Sequence, residues 1–228
     1  MTPREFFSAH PLLRGLNPDE VGDCLRHSTV KSVAGRGIVF LRGDEGDGVY
    51  GVLGGSASVI VGSADGGDLI LRLLEQGELF GELALLDGQG RTASVVARSP
   101  CTLLFIPKAS FVRLLTTHPE VAAQVIPVLS GYLRHNTRLV TEGAFLDVAT
   151  RLARHLIQLT GQLQEPQSAR SAIHISQYEL ACMLGVSREI VNRHLAQWRR
   201  RGLVEMSRGH IRLVDKQAIL ALAKESTQ

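Results

Sequence analysis

The pattern of hydrophobic and polar positions changes character several times along this 228-residue chain. Residues 1–27 carry two short helical patterns, FFSAHPLLRGL and then Asn17-Pro18-Asp19-Glu20 opening VGDCLRH. Asn17 suits an N-cap there, with Pro18 at the first helical position and acids in the first turn. From Ser28 to about Pro107 the helical period vanishes. Short β-branched runs (STVKSV, GIVFL, VYGVL, ASVIV, LILRLL, ASVVA, CTLLFI) alternate with Gly/Asp punctuation such as Arg42-Gly43-Asp44-Glu45-Gly46-Asp47-Gly48. That predicts an all-β barrel or roll with tight turns.

Beyond Pro107 the pattern turns helical as far as about Gly161. Lys108–Thr117 makes a short helix, and His118-Pro119-Glu120 opens a longer one at about residues 119–143. Val121, Val125, Val128, Tyr132 and Leu139 follow the 4-3-4 and then 7 spacing of a coiled-coil seam, so they are the expected dimer contact. His135, Asn136 and Thr137 interrupt that seam with polar groups, and Pro127 is expected to bend or disturb the helix. A further helix, Leu146–Leu159, leads into the polar loop GQLQEPQSARSA.

The last third reads as two helices and a hairpin. Ser176-Gln177-Tyr178-Glu179 is a capping box opening a helix Gln177–Leu184; Gly185-Val186 breaks it, and Ser187 caps a second helix to about Arg200. Small residues at Ala181 and Gly185 and an apolar Val191 have the spacing of a helix-turn-helix. Gly202–Met206, the turn Ser-Arg-Gly-His and Ile211–Val214 add a β-hairpin wing. The fold class is therefore α+β, with a domain at 1–144 that includes the long helix and a winged helix-turn-helix domain at 145–228.

Charge sharpens this division. Residues 1–145 hold 13 Lys+Arg and 15 Asp+Glu, whereas residues 146–228 hold 12 and 7. A basic C-terminal part suits a polyanion such as DNA. In a recognition helix the first turns face the major groove, which makes Arg188, Glu189, Asn192 and Arg193 the base readers: an arginine fork fits guanine O6 and N7, and glutamate accepts from cytosine N4. Ser176, Gln177, Ser187, Arg199, Arg200, Arg208 and His210 are the candidates for phosphate contacts.

In the β segment, Phe80-Gly81-Glu82-Leu83-Ala84-Leu85-Leu86-Asp87-Gly88-Gln89-Gly90-Arg91-Thr92-Ala93-Ser94 combines a glycine, a short helical turn at Glu82–Leu86 and an Arg-Thr pair before a β run. An arginine and backbone N–H groups there can converge on a phosphate, while a nearby carboxylate takes sugar hydroxyls. This segment resembles the phosphate-binding cassette of cyclic-nucleotide-binding domains. From about Leu12 to Asp215 the chain resembles the cyclic-AMP receptor protein (CRP/FNR) family: GDEGD turn and Tyr50, cassette, dimer helix, FLDVATRLA hinge, and SREIVNR in the helix-turn-helix.

The resemblance implies a homodimer that reads a palindromic TGTGA-like site in double-stranded DNA under control of a cyclic nucleotide. Glu82 would bind the ribose 2′-hydroxyl, and Arg91 and Thr92 the cyclic phosphate, with backbone help from Gly81, Leu83 and Ala93. Asn136 and Thr137 would meet the base. Cyclic AMP ranks ahead of cyclic GMP, but only slightly, because a threonine after the arginine also occurs where guanine is bound. The hinge at Phe145-Leu146-Asp147 would space the two recognition helices. Gly161–Ala172 falls where activators of the family touch RNA polymerase. A nucleotide-independent or cyclic-dinucleotide-responsive member is the alternative.

Other classes fit less well. GxSxG, HExxH and GxxxxGK[ST] are all lacking, so no enzyme is expected. Cys24, Cys101 and Cys182 lie far apart without CxxC spacing, and the eight histidines are scattered, so no metal, haem, iron–sulfur cluster or disulfide framework is expected. No apolar run approaches the ~18 residues of a membrane span, and MTPREFFSAHPLL lacks a secretory pattern; a cytoplasmic protein without membrane contact is expected.

Overall fold

The computed structural model describes residues 1–62, 67–161, 172–207 and 209–224. It divides into two compact units, one of residues 1–61 and 71–134, the other of residues 62–70 and 135–228. The loop expected near RNA polymerase, for the most part, and Arg208 fall outside the described residues.

The first unit starts with helices α1 (Pro3–Ala9) and α2 (Pro18–His27). Asn17 caps α2 as expected, its side chain accepting from the N–H groups of Asp19 and Glu20. Among the described residues eight strands follow: β1 (Thr29–Val33), β2 (Ile38–Phe40), β3 (Gly48–Gly54), β4 (Ala57–Gly62), β5 (Asp68–Leu74), β6 (Leu79–Phe80), β7 (Ser94–Ala97) and β8 (Cys101–Pro107). They form two four-stranded sheets, ordered β1-β8-β3-β6 and β2-β7-β4-β5. This is the expected roll. A short helix α3 (Leu83–Leu86) follows β6, and α4 (Lys108–Thr117) follows β8.

Strand β3 is apolar and buried almost throughout because both of its faces are covered. Tyr50 and Val52 pack inside the roll with Leu74, Phe80, Val95 and Leu103. Val49 and Leu53 face the other way and pack with Phe6, Phe7, Leu13, Phe111 and Leu114 of the helical layer.

Helix α5 (Pro119–Phe145) runs continuously through Pro127. It corrects two positions of the expected dimer seam. Val121 and Val125 belong to the core of their own chain, 1% and 8% exposed, and Leu129 packs against the same cluster. Val128, Tyr132 and Leu139 are half-buried. An outward apolar stripe is formed by Ile126, Leu133 and Val140, seven apart and 68%, 69% and 71% exposed. The helix carries two apolar stripes, and periodicity alone does not say which one its own roll covers.

In the second unit, α6 (Val148–Gly161) begins later than the expected Leu146, because the Asp147 carboxylate accepts the Thr150 N–H at 2.7 Å and caps the helix. Then come β9 (Ile173–His174), α7 (Gln177–Leu184), α8 (Arg188–Arg200), β10 (Val204–Ser207), β11 (His210–Leu213) and α9 (Lys216–Leu222). Gly185, at φ +62°, ends α7 in the left-handed conformation that a tight helix–helix turn needs. Leu152, Leu156, Leu180, Val191, Leu195, Trp198, Ile211 and Ile219 are all buried. The wing is the antiparallel pair β10–β11, with β9, which sequence reading missed, as its third strand.

Candidate functional site

Inside the roll two opposite charges are almost sealed from solvent: Arg91 is 3% exposed and Glu82 5%. The Arg91 guanidinium donates to the Gly81 carbonyl at 2.5 Å, the Asp47 carboxylate at 2.7 Å and the Gly48 carbonyl at 2.8 Å. Its plane lies over the Phe40 ring at 4.2 Å. The backbone is held too, since the Arg91 N–H donates to Asp44 and the Gly43 N–H to Arg91, so the Gly-Asp turn before β3 clamps this arginine at both ends. Gly81 is required here: its φ is +88°, and a Cβ would stand 2.7 Å from the Arg91 Nη1. The Arg91 Nε is buried and makes no hydrogen bond, which leaves a donor available to an anion.

Glu82 stands at the N-cap of α3 without capping it. Burial raises its carboxyl above the ordinary carboxylate range, opposed by a bond from its own N–H, by Arg72, by the Tyr132 hydroxyl and by Arg91. Glu82 and Arg91 are thus brought within electrostatic reach of one another. Leu83 is half-buried, Ala93 buried and Thr92 exposed. Asn136 and Thr137 are exposed on α5 and belong to the second unit.

Two residues of this neighbourhood went unassigned from sequence, and a third was expected elsewhere. Asp47 is the carboxylate partner of Arg91, signalled only by the repeated acids of the Gly-Asp turn. Arg72 lies with its guanidinium 4.6 Å from the centre of the Tyr132 ring, and Tyr132, expected in the seam, hydrogen-bonds Glu82 instead.

In the second unit, Arg188, Glu189, Asn192 and Arg193 are all exposed on α8, opposite the buried Val191, Leu195 and Trp198. Arg199 and Arg200 are exposed at its C-terminal end. Two of the expected phosphate contacts have partners on their own chain. The Ser176 hydroxyl donates to Glu179 at 2.8 Å, and that of Ser187 bonds Glu189 without capping α8. Gln177 is half-buried, and the half-buried His210 ring packs edge-on to His174 at 4.2 Å.

Comparison with known proteins bears on both units. Residues 30–118 match the family model of a cyclic nucleotide-binding domain, and residues 150–222 that of a Crp-like helix-turn-helix domain. The cAMP-activated global transcriptional regulator CRP of Pasteurella multocida is 32% identical over 175 residues, covering 75% of this chain and 83% of that protein. The chain belongs to the CRP/FNR family. The cyclic AMP receptor protein of Thermus thermophilus is another relative, 31% identical over 201 residues, with 88% and 91% covered. Among solved structures, the c-di-GMP responsive global regulator CLP of Xanthomonas campestris superposes with a TM-score of 0.76 at 28% identity, over 86% of this chain and 99% of that one.

As a CRP/FNR protein the chain is a DNA-binding transcription regulator with a cyclic-nucleotide-binding domain, not an enzyme. The three cysteines are free and buried. Among the described residues no helix is long and apolar enough to cross a membrane.

Proposed function

We propose that this regulator is a homodimer that binds a palindromic TGTGA-like DNA site when a 3′,5′-cyclic nucleotide occupies the β-roll. The observation that carries the reading is the buried pair Arg91 and Glu82. An arginine with an unpartnered Nε fits the cyclic phosphate, and a carboxylate kept costly by burial gains from a ribose hydroxyl. Thr92, exposed beside Arg91, adds a hydroxyl. Gly81, Leu83 and Ala93 offer backbone N–H groups, and the resemblance assigns the base to Asn136 and Thr137. The names of the relatives support cyclic AMP, while Thr92 keeps cyclic GMP close behind; the Xanthomonas neighbour is the support for a cyclic dinucleotide.

Dimerisation runs through the outward stripe of α5, Ile126, Leu133 and Val140, in place of the seam first expected. Arg188, Glu189, Asn192 and Arg193 read bases, and Gln177, Arg199 and Arg200 hold phosphates; Arg208 and His210 of the wing and contact with RNA polymerase rest on the resemblance. A DNA-shift titration on a TGTGA palindrome, with and without each nucleotide, tests this. Nucleotide should tighten binding and lose that effect in Arg91→Met; equal affinity with and without every nucleotide overturns the effector half of the proposal.

A further inference from the structure

Strand β5 alternates, and its inward positions include the buried Ile70 and Leu74. Between them, on the same face, stands Arg72, where a roll interior calls for an apolar side chain. Its guanidinium is seated on the Tyr132 ring at 4.6 Å, and Glu78 reaches one edge at 3.9 Å. Its Nε is buried and makes no hydrogen bond. Tyr132, Glu78 and Glu82 hold the arginine firmly charged even though burial works the other way. An unsatisfied donor on a flat cation, supported from behind by an aromatic ring, needs an acceptor in the space it faces.

We infer that Arg72 reads the base of the effector and selects guanine over adenine. The inference rests on the proposal that Glu82 holds the ribose 2′-hydroxyl. That hydroxyl and the base sit on adjacent sugar carbons, and Arg72 and Glu82 share Tyr132, so the fork stands beside the place where the base leaves the sugar. Arginine carries five N–H donors and no acceptor. The outer edge of guanine offers two acceptors, O6 and N7, and the fork meets both. Adenine offers N7 beside the N6 amino group, so one arm of the fork would point a donor at a donor. A matched bidentate contact of this kind discriminates by about tenfold to a hundredfold. The relatives' cyclic AMP therefore does not transfer to this chain at this position.

Calorimetric titration of the full-length protein with cyclic GMP, cyclic AMP and c-di-GMP tests the inference, alongside Arg72→Met, Arg72→Lys and Arg91→Met. The wild type should bind cyclic GMP at least about tenfold more tightly than cyclic AMP. Arg72→Met and Arg72→Lys should bring the two affinities together by weakening cyclic GMP alone, whereas Arg91→Met should weaken both. A ligand-side probe avoids any folding defect: 7-deaza-cyclic GMP, which lacks N7, should bind the wild type about tenfold less well than cyclic GMP, and cyclic IMP, which keeps O6 and N7, nearly as well. Preference for cyclic AMP, unchanged affinity for the 7-deaza analogue, or equal loss of both nucleotides in the Arg72 variants overturns it. The last result would make Arg72 only an internal partner of Glu82. If neither mononucleotide binds the wild type, the ribose assignment of Glu82 falls as well.

Discussion

Replacing Arg91 by methionine should destabilise the roll even in buffer without nucleotide. The side chain has a structural duty: two carbonyls, of Gly81 and Gly48, accept from it in a site that water barely reaches. A bond from a charged donor contributes about 1.5–3 kcal/mol, and an orphaned buried acceptor costs a similar amount. Stacking on Phe40 adds about 0.5–2 kcal/mol. The Asp47 pair adds little, because that carboxylate is 58% exposed and rehydrates when released. Against these losses, the variant no longer buries a charge. The net cost is about 2–4 kcal/mol, equivalent to a fall of roughly 5–15 °C in melting temperature for a chain of this length. Thermal unfolding followed by circular dichroism in nucleotide-free buffer measures it. Saturating cyclic nucleotide should raise the wild-type melting temperature and leave that of the variant unmoved. An unchanged melting temperature for Arg91→Met in plain buffer would refute the structural role.

Glu82→Gln should abolish nucleotide binding yet leave the protein as stable as wild type or more so at neutral pH. The folded-state carboxyl is raised by burial, so the folded state holds its proton longer than the unfolded one; stability falls as pH rises above about 4.5, and the amide should remove that fall in pH-dependent melting curves. His155 is the opposite case. Burial lowers it from 6.5 to about 4, so the second unit should lose about 3 kcal/mol as pH drops through that window, and His155→Gln should flatten the loss in urea titrations at pH 7 and pH 4.5. Leu133→Glu, on the outward stripe of α5, should yield a folded monomer by light scattering. A dimer of wild-type mass would place the interface elsewhere.

Local signals made much of this molecule readable from its sequence. The cap at Asn17, the capping box at Ser176 and the glycine stop at Gly185 each act over a few residues, and the structure has all three. The strand runs were legible because β-branched residues alternate with turn residues. Long-range facts were not legible. Tyr132 has the spacing of a seam residue, but its partners, Arg72 and Glu82, lie 60 and 50 positions away on other elements. Arg72 looked like one polar position in a strand pattern, and only its inward face gives it meaning. The short strand β9 pairs through two residues, too few to show a period. In the cassette the spacing pointed to Glu82 and Arg91, while their burial and the role of Asp47 required the packed roll.

The arrangement of the pocket also bears on how binding could reach α5. Arg91 uses three of its donors on its own chain and keeps others, including the Nε, so a phosphate can be added without dismantling the clamp. Binding there would stabilise the roll, yet the Arg91 bonds to Gly81, Asp47 and Gly48 do not involve α5. Tyr132 is different, because it lies on α5 and touches both Glu82 and Arg72. A sugar hydroxyl on the carboxylate and a base on the arginine would each alter what this tyrosine meets. Shifting a two-state equilibrium from 1:99 to 99:1 takes about 5.5 kcal/mol of differential affinity. A single charge-assisted contact contributes about 1.5–3 kcal/mol, enough only to bring such states near parity. Two such contacts meeting on one tyrosine reach the required size. A ligand that satisfies Glu82 but not Arg72 should therefore bind and yet switch incompletely, which makes the base a determinant of efficacy as well as of affinity.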